Sequence, residues 1–286
     1  MKFYFVFALV LGTQLLAGCT ASPPVPLETL QSSETPLPSA TASPQPSNTP
    51  SPTATQQPSA TLPLDPELEI CSPLEDISLE NLPDTIANPF APPPPGSDNP
   101  HQGIDFADID STYQIALEGR SVQAVLAGTV AGIIQERFPY GNAILVETPL
   151  EQIPPSWLET LQIPPVIPIR EGHSVLTCPE SASGMENTGE TRSLYLLYAH
   201  LQEPVALKPG DTVSCGIPIG KIGQSGNALN PHLHLEVRVG PSGKQFESMA
   251  HYTGAASPQE MSNYCLWRVS GAFQALDPLR LLSPKR

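Results

Sequence analysis

Three histidines and one aspartate occur in patterns that suit a metal centre. His101 and Asp105 lie in the segment His-Gln-Gly-Ile-Asp, and His232 and His234 lie in Pro-His-Leu-His-Leu-Glu. Alternate side chains of a β-strand share a face, so His232 and His234 would point the same way. Histidine nitrogens with one carboxylate, and a position left for water, form the ligand set of a catalytic zinc ion. Two solvent-exposed histidines are the alternative for the His-x-His pair alone.

The His-x-His strand predicts a polar face backed by an apolar one. Glu236 and Arg238 follow on the histidine side, and the opposite side carries Leu233, Leu235, Val237 and Val239. Glu236 has two interpretations. It is either an outer partner of a metal-binding histidine, or a solvent-facing carboxylate paired with Arg238.

His101 and Asp105 need a bend to reach one ion. Four residues of a straight strand span about 13 Å, and Gly103 after Pro100 disfavours a helix. A bend at Gly103 would bring both side chains to one centre. His200 ends the strand-like segment Leu194–Ala199, and alone it is as consistent with a capped strand end as with a functional role.

Most of the segments around these residues are strand-like. The predicted strands are Ser121–Ile134, Gly141–Glu147, Ser193–Leu201, Ile217–Ile222 and His232–Val239. Short strands separated by Gly and Pro turns predict an antiparallel β domain. Short helices are predicted near Leu74–Leu82 and Gln259–Val269. Two stretches, at about 148–192 and 241–274, are too long for bare loops and are interpreted as insertions.

The N-terminal region is typical of an exported and tethered protein. An apolar run at residues 3–18 ends in Leu-Ala-Gly before Cys19, which resembles the lipobox of bacterial lipoproteins. The resemblance implies a signal peptide at 1–18 and a diacylglyceryl group on Cys19. An ordinary signal peptide, or a thin transmembrane anchor, with an incidental cysteine is the alternative. Residues 20–66 hold 12 of the 36 prolines and no aromatic residue. Such a composition predicts an extended linker over 19–66, with the folded domain at 67–286.

The net charge disfavours one class of partner, and the cysteine content indicates the redox compartment of the protein. The net charge of −15 disfavours nucleic-acid binding, which needs clustered Lys and Arg. Cysteines other than Cys19 predict two disulfides in an oxidising compartment. Cys71–Cys265 with Cys178–Cys215 is the first choice of pairing, and four buried thiols are the alternative.

Several motifs occur in the order found in one known family. They read His101-Gln-Gly-Ile-Asp105, Tyr198-Ala-His200-Leu, Pro209-Gly-Asp with Ile219-Gly-Lys-Ile-Gly223, Gly226 to Glu236, and the terminal Asp277-Pro-Leu-Arg-Leu281. The set resembles the lysostaphin/LytM-type zinc endopeptidases, which cut peptide cross-links or stems of peptidoglycan. Asn230 and Leu235 depart from the family pattern, where Gly and Phe are common. The resemblance does not extend to the two insertions or the linker.

The resemblance implies a role for each matched residue. His101, Asp105 and His234 would bind one Zn²⁺ ion, while His200 and His232 would flank the catalytic water. The implied fold is an antiparallel β-sheet with a groove. The implied activity is zinc-dependent hydrolysis of peptide bonds in cell-wall peptidoglycan, by an extracytoplasmic protein held to a membrane through Cys19. A non-enzymatic peptidoglycan-binding or hydrolase-activating lipoprotein on the same fold is the alternative.

Overall fold

The computed structural model describes residues 68–92, 97–99, 101–107, 117–166, 178–179 and 191–283. They belong to a compact unit that extends over 61–286. The predicted signal peptide, the linker and the lipidation candidate Cys19 lie outside the described residues. Within the described ranges, no helix has the length and apolar character needed to cross a bilayer.

Strands make up most of the described secondary structure. They are β1 Ile86–Asn88, β2 Ile104–Phe106, β3 Ser121–Gln123, β4 Gly128–Arg137, β5 Gly141–Pro149, β6 Arg192–Leu201, β7 Thr212–Val213, β8 Pro218–Lys221, β9 Leu233–Pro241 and β10 Gln274–Leu276. The α-helices are α1 Pro155–Leu161, α2 Pro258–Arg268 and α3 Pro278–Leu282, and 3₁₀ turns cover Leu82–Thr85 and Leu150–Gln152.

The main sheet is antiparallel throughout, which confirms the predicted fold class. Its order is β1-β2-β9-β6-β5-β4-β7, with β10 also paired to β9, and β3 pairs with β8 in a separate small sheet. Strand β9 therefore lies between β2 and β6, so residues from three distant parts of the sequence meet at its start.

Both faces of the sheet are covered, and this corrects one expectation. Leu233, Leu235, Val237 and Val239 of β9 pack in one hydrophobic core, as their alternation predicts. The opposite face of the sheet packs against α2 and its neighbours, with Trp267 and Phe246 among the buried residues. Glu236 and Arg238 are consequently buried, at 0% and 1% exposure. Glu236 is therefore not a solvent-facing carboxylate.

The predicted helix at Leu74–Leu82 is wrong, because tertiary pairing overrides its local pattern. Cys71 N donates to Val125 O and Glu75 N donates to Ser121 O, so this segment pairs with the β3–β4 region. Only the short 3₁₀ turn from Leu82 to Thr85 forms there. The predicted helix at Gln259–Val269 is confirmed as α2, which begins with a capping box between Ser257 and Glu260.

The first-choice disulfide pairing is also wrong. The structure pairs Cys71 with Cys215 and Cys178 with Cys265. Cys215 lies in the turn between β7 and β8, where Gly216 N donates to Ala124 O, next to the residue whose carbonyl binds Cys71 N. Cys265 lies instead on α2, which covers the other face of the sheet. The second bond ties the first insertion to the second.

Removal of the Cys71–Cys215 bond is expected to lower the free energy of unfolding by about 2–5 kcal/mol. The bond closes a separation of 144 residues, which restricts the unfolded chain strongly. Denaturant titration of the C71S/C215S double variant measures the loss. The same variant tests the pairing, because it should contain no free thiol apart from Cys19. Two further reactive thiols in the folded variant would contradict it.

Candidate active site

Three side chains converge on a point where one metal ion fits. His101 Nε2 lies 3.1 Å from Asp105 Oδ1 and 3.1 Å from His234 Nδ1, and the last two atoms are 2.7 Å apart. The edges of a tetrahedral zinc site with bonds of ~2.0–2.1 Å are about 3.3 Å. His101, Asp105 and His234 thus form a triangle, called here the metal triangle, whose edges are slightly shorter than that. A single ion can contact all three atoms if the side chains move outward by a small distance. The two nitrogen atoms and one oxygen atom, and the distances between them, therefore fit a zinc ion.

Strand register accounts for two of these positions. Asp105 on β2 lies directly opposite His234 on β9, and His234 lies opposite Ala199 on β6. His101 joins them because the chain bends at Gln102 and Gly103, as the sequence predicts. A Cβ at Gly103 would lie 2.5 Å from Leu235 O and 2.8 Å from His234 Cε1, so only glycine permits this close approach.

The two remaining histidines are held side by side by the Gly223 backbone. Gly223 N donates to His200 O at 3.1 Å, and His232 N donates to Gly223 O at 3.2 Å. A Cβ at Gly223 would lie 2.3 Å from Gln202 Cα. The rings of His200 and His232 then have centroids 4.7 Å apart, and His232 Nε2 lies 3.7 Å from Asp105 Oδ1.

His200 also has an unusual backbone. Its φ is +62°, in the left-handed region that residues other than glycine rarely adopt. His200 N donates to Tyr140 O, which holds this conformation at the end of β6. Strained backbone of this kind occurs preferentially at functional sites. The position of His200 at a strand end does not by itself predict a function. Its left-handed backbone conformation supports a functional role.

Each of the four histidines has one ring nitrogen against an oxygen outside the triangle. His101 Nδ1 faces Pro89 O at 3.0 Å, His200 Nδ1 faces Ser225 O at 2.8 Å, His232 Nδ1 faces Asn230 O at 2.7 Å and His234 Nε2 faces Glu236 Oε1 at 3.2 Å. Carbonyl and carboxylate oxygens only accept, so in each ring this nitrogen carries a proton. The opposite nitrogen of each neutral ring then presents a lone pair.

The charges of the site follow from burial and close contacts. Burial alone would raise the pKa of Asp105, but its close contacts with His101 and His234 outweigh burial and hold that pKa far below its usual value. Burial and the neighbouring His234 and His232 lower the pKa of His200 to about 3. His200 is therefore neutral at neutral pH. Burial would lower the pKa of His234, yet its bonds to Asp105 and Glu236 raise it to about 9.

Glu236 is the outer partner of His234 and also the partner of Arg238. Arg238 Nε donates to its Oε2 at 2.8 Å, so both elements proposed from the sequence occur together, in a buried setting. Burial would raise the pKa of Glu236, but Arg238 and Arg268 outweigh it and hold that pKa well below its usual range. Glu236 is thus an anion behind His234.

Several contributors were missed by the sequence reasoning. Asn88 Nδ2 donates to Asp105 Oδ2 at 3.0 Å, and Tyr140, Trp267 and Arg268 reach Glu236. Trp267 and Arg268 lie in the predicted helix of the second insertion. Its sequence predicts a helix and gives no signal for the face that meets β9.

The remaining described histidine and both tryptophans lie in or against the packed interior. His251, in the second insertion, is buried at 6% exposure. Trp267 is buried in the second core, and Trp157 packs against the first core, so both are core anchors. His173 lies outside the described residues.

A groove runs past the metal triangle. Its walls include β1, the Phe138–Tyr140 turn, the loop before His232 and residues of the second insertion. Two of the three exposed large hydrophobic side chains in the described ranges line it: Leu229 at 91% exposure and Tyr252 at 53%. Tyr252 Oη donates to Asp98 Oδ2 at 2.7 Å, which fixes its ring at the wall.

Residues 180–247 match the model of peptidase family M23. The match confirms, over this segment, the resemblance predicted from the motifs. It includes His200, His232 and His234. His101 and Asp105 lie before it, and their connection to it comes from the sheet register described above.

Solved structures of similar proteins include two peptidases and one M23 protein. The catalytic domain of the antimicrobial peptidase lysostaphin from Staphylococcus simulans is 19% identical, with a TM-score of 0.37, over 73% of this chain and 100% of that one. A variant of the catalytic domain of the prophage-encoded M23 protein EnpA from Enterococcus faecalis is 19% identical, with a TM-score of 0.32, over 59% and 92%. A zinc-containing peptidase from Vibrio cholerae is 20% identical, with a TM-score of 0.30, over 53% and 32%. No curated protein matches the chain.

Proposed function

We propose that the protein is a zinc-dependent endopeptidase that hydrolyses peptide bonds in cell-wall peptidoglycan. The observation that carries the proposal is the triangle of His101, Asp105 and His234 in an open groove, beside two further histidines with free ring nitrogens. A structural metal site would be closed by four protein ligands, whereas three ligands and an adjacent groove suit catalysis. The motif resemblance supports the same reading.

Zinc held by these three residues would supply Lewis-acid polarisation of a peptide carbonyl and activation of water. His200 and His232 present Nε2 lone pairs, because their Nδ1 atoms donate to backbone carbonyls. Either ring can accept a proton from the attacking water and return it to the leaving amine. A protonated imidazole can also stabilise the negative charge that develops on the carbonyl oxygen.

Substrate and location belong to the same proposal. The substrates are stem or cross-link peptides of peptidoglycan, supported by the five motifs that resemble those of lysostaphin/LytM-type enzymes. The location is the extracytoplasmic side of an envelope membrane, with the lipid on Cys19 as the anchor and the proline-rich linker as the tether. Two disulfides support an oxidising compartment.

Release of new amino termini from purified sacculi tests the activity. Protein with zinc should release them from at least one of several peptidoglycan types, and a chelator should stop the reaction until zinc is returned. Wild-type protein that binds sacculi without releasing amino termini from any type would support the non-enzymatic lipoprotein instead.

Leu229→Ser is expected to raise KM for a peptide substrate about fivefold, which corresponds to roughly 1 kcal/mol of lost apolar contact. The kcat should change little, since a side chain at the rim contributes equally to the ground state and the transition state. Steady-state kinetics on a soluble cross-link peptide measures both constants. The control is Val166→Ser, at a residue 45% exposed outside the groove. An equal rise in KM for both variants would contradict a role for Leu229.

A further inference from the structure

Glu236 has an unusually complete set of hydrogen-bond partners. It has no exposed surface, and its two oxygens are surrounded by five donors: His234 Nε2 at 3.2 Å, Tyr140 Oη at 2.8 Å, Arg268 Nη1 at 2.5 Å, Arg238 Nε at 2.8 Å and Trp267 Nε1 at 2.9 Å. A carboxylate held from this many directions has one orientation. The ring of His234 follows that orientation, because Glu236 Oε1 is the acceptor behind its Nε2.

Two of these donors come from the second insertion. Trp267 and Arg268 are the last two residues of α2, about 20 residues beyond the segment that matches the M23 model. Trp267 is fully buried and its indole N–H points at Glu236 Oε2. The insertion therefore contributes directly to the support of a metal-facing histidine, in addition to covering the sheet.

Arg268 joins the segment before His101 to the strand that carries His234. Its Nε donates to Asp98 Oδ1 at 2.5 Å, while its Nη1 reaches Glu236. Asp98 also accepts from the hydroxyl groups of Tyr252 and Tyr264, at 2.7 Å each. Asp98 lies three residues before His101, and Glu236 lies behind His234. The Arg268 guanidinium therefore contacts a residue next to each of two metal-facing histidines.

The charge balance of this cluster makes Arg268 hard to replace. Two buried carboxylates, Asp98 and Glu236, face two buried guanidinium groups, Arg238 and Arg268. A planar guanidinium can bond two carboxylates at fixed angles, and a lysine ammonium cannot reproduce that geometry. Loss of Arg268 would leave two buried anions with one cation.

We propose that Arg268 and Trp267 are positioning residues of the metal centre, which act by fixing Glu236 and through it the ring of His234. The second insertion would then be an integral part of the site. This inference rests on the proposed function insofar as the triangle is taken to bind zinc.

The test compares the zinc affinity of full-length variants by chelator competition. R268Q is expected to raise the zinc dissociation constant about 10–100-fold, and R268K is expected to recover only part of that loss. W267F, which removes one N–H donor and keeps most of the ring, should give a smaller rise in the same direction. The matched control is R137Q, which breaks the ion pair between Arg137 Nε and Glu260 Oε1 on the same helix without touching Glu236.

A second measurement separates positioning from general stability. In the cobalt-loaded protein, the Nε2–H proton of His234 gives a paramagnetically shifted NMR signal. Its exchange with solvent should be faster in R268Q and W267F than in wild type or R137Q. If R268Q does not fold, W267F decides the question by both measurements. Wild-type zinc affinity and wild-type proton exchange in the folded variants would overturn the proposal.

The outcome is separable from that of the proposed function. A protein that binds zinc but cleaves no sacculus would refute the peptidase proposal, and the affinity series would still support the positioning role. A protein that cleaves sacculi while R268Q and W267F keep their zinc affinity would refute the positioning role alone.

Discussion

His234→Ala is expected to yield protein without a stoichiometric zinc ion and without measurable peptide hydrolysis. His234 supplies one corner of the triangle, and the other two atoms, His101 Nε2 and Asp105 Oδ1, make a weak site by themselves. A bound metal contributes several kcal/mol of transition-state stabilisation, so the rate should fall on the order of 10³-fold or more. Metal analysis of the purified protein and amino-terminus release from sacculi measure the two effects.

The His234 variant needs proof that it is folded. Circular dichroism should retain the β-sheet spectrum, because the apolar face of β9 packs in its core independently of the metal. His101→Ala should behave in the same way, since its ring nitrogen lies equally far from both partners. One full equivalent of zinc in either folded variant would refute the ligand assignment.

His200→Ala is expected to keep its zinc and lose activity. The His200 ring lies outside the triangle, with its centroid 5.7 Å from that of His234, and its Nδ1 donates to Ser225 O. Burial and the neighbouring histidines lower its pKa to about 3, so the ring is neutral at working pH and its Nε2 can accept a hydrogen bond from the attacking water. Loss of a general acid–base group typically lowers kcat about 10²–10⁴-fold.

The His200 and His234 variants serve as controls for each other. Zinc content should separate them, whereas the activity assay should not. His200→Ala protein that lacks zinc would show that this residue supports the metal rather than the proton transfer. Activity near the wild-type level in folded His200→Ala would remove it from the mechanism and leave His232 as the remaining proton acceptor.

The strand pattern predicted much of the fold and the centre of the site. Clean alternation from His232 to Val239 correctly separated the apolar face from the histidine face, because successive side chains of a strand point to opposite faces of the sheet. The bend at Gly103 was predictable from glycine chemistry. The proximity of Asp105 to His234 was expected from the family motifs, and the strand register shows how it arises.

Long-range packing explains what the sequence did not predict. The segment after Cys71 has a helical pattern, yet its backbone pairs with the β3–β4 region, so tertiary hydrogen bonds outweigh a weak local preference. The disulfide pairing failed for a related reason, since neighbours across a sheet cannot be read from the order of cysteines. Burial of Glu236 depended on where α2 docks, and no local pattern in Trp267 and Arg268 encodes that position.

The Cys71–Cys215 bond has a mechanical consequence. Cys71 precedes every described strand in the sequence, so tension applied to the chain from its N-terminal side reaches this disulfide before it reaches the sheet. From there the covalent bond transfers the load to Cys215, in the turn between β7 and β8. The intervening backbone, which carries His101, Asp105 and His200, is bypassed. A pull from the N-terminal side is thus passed to Cys215 without loading the backbone that carries these three residues.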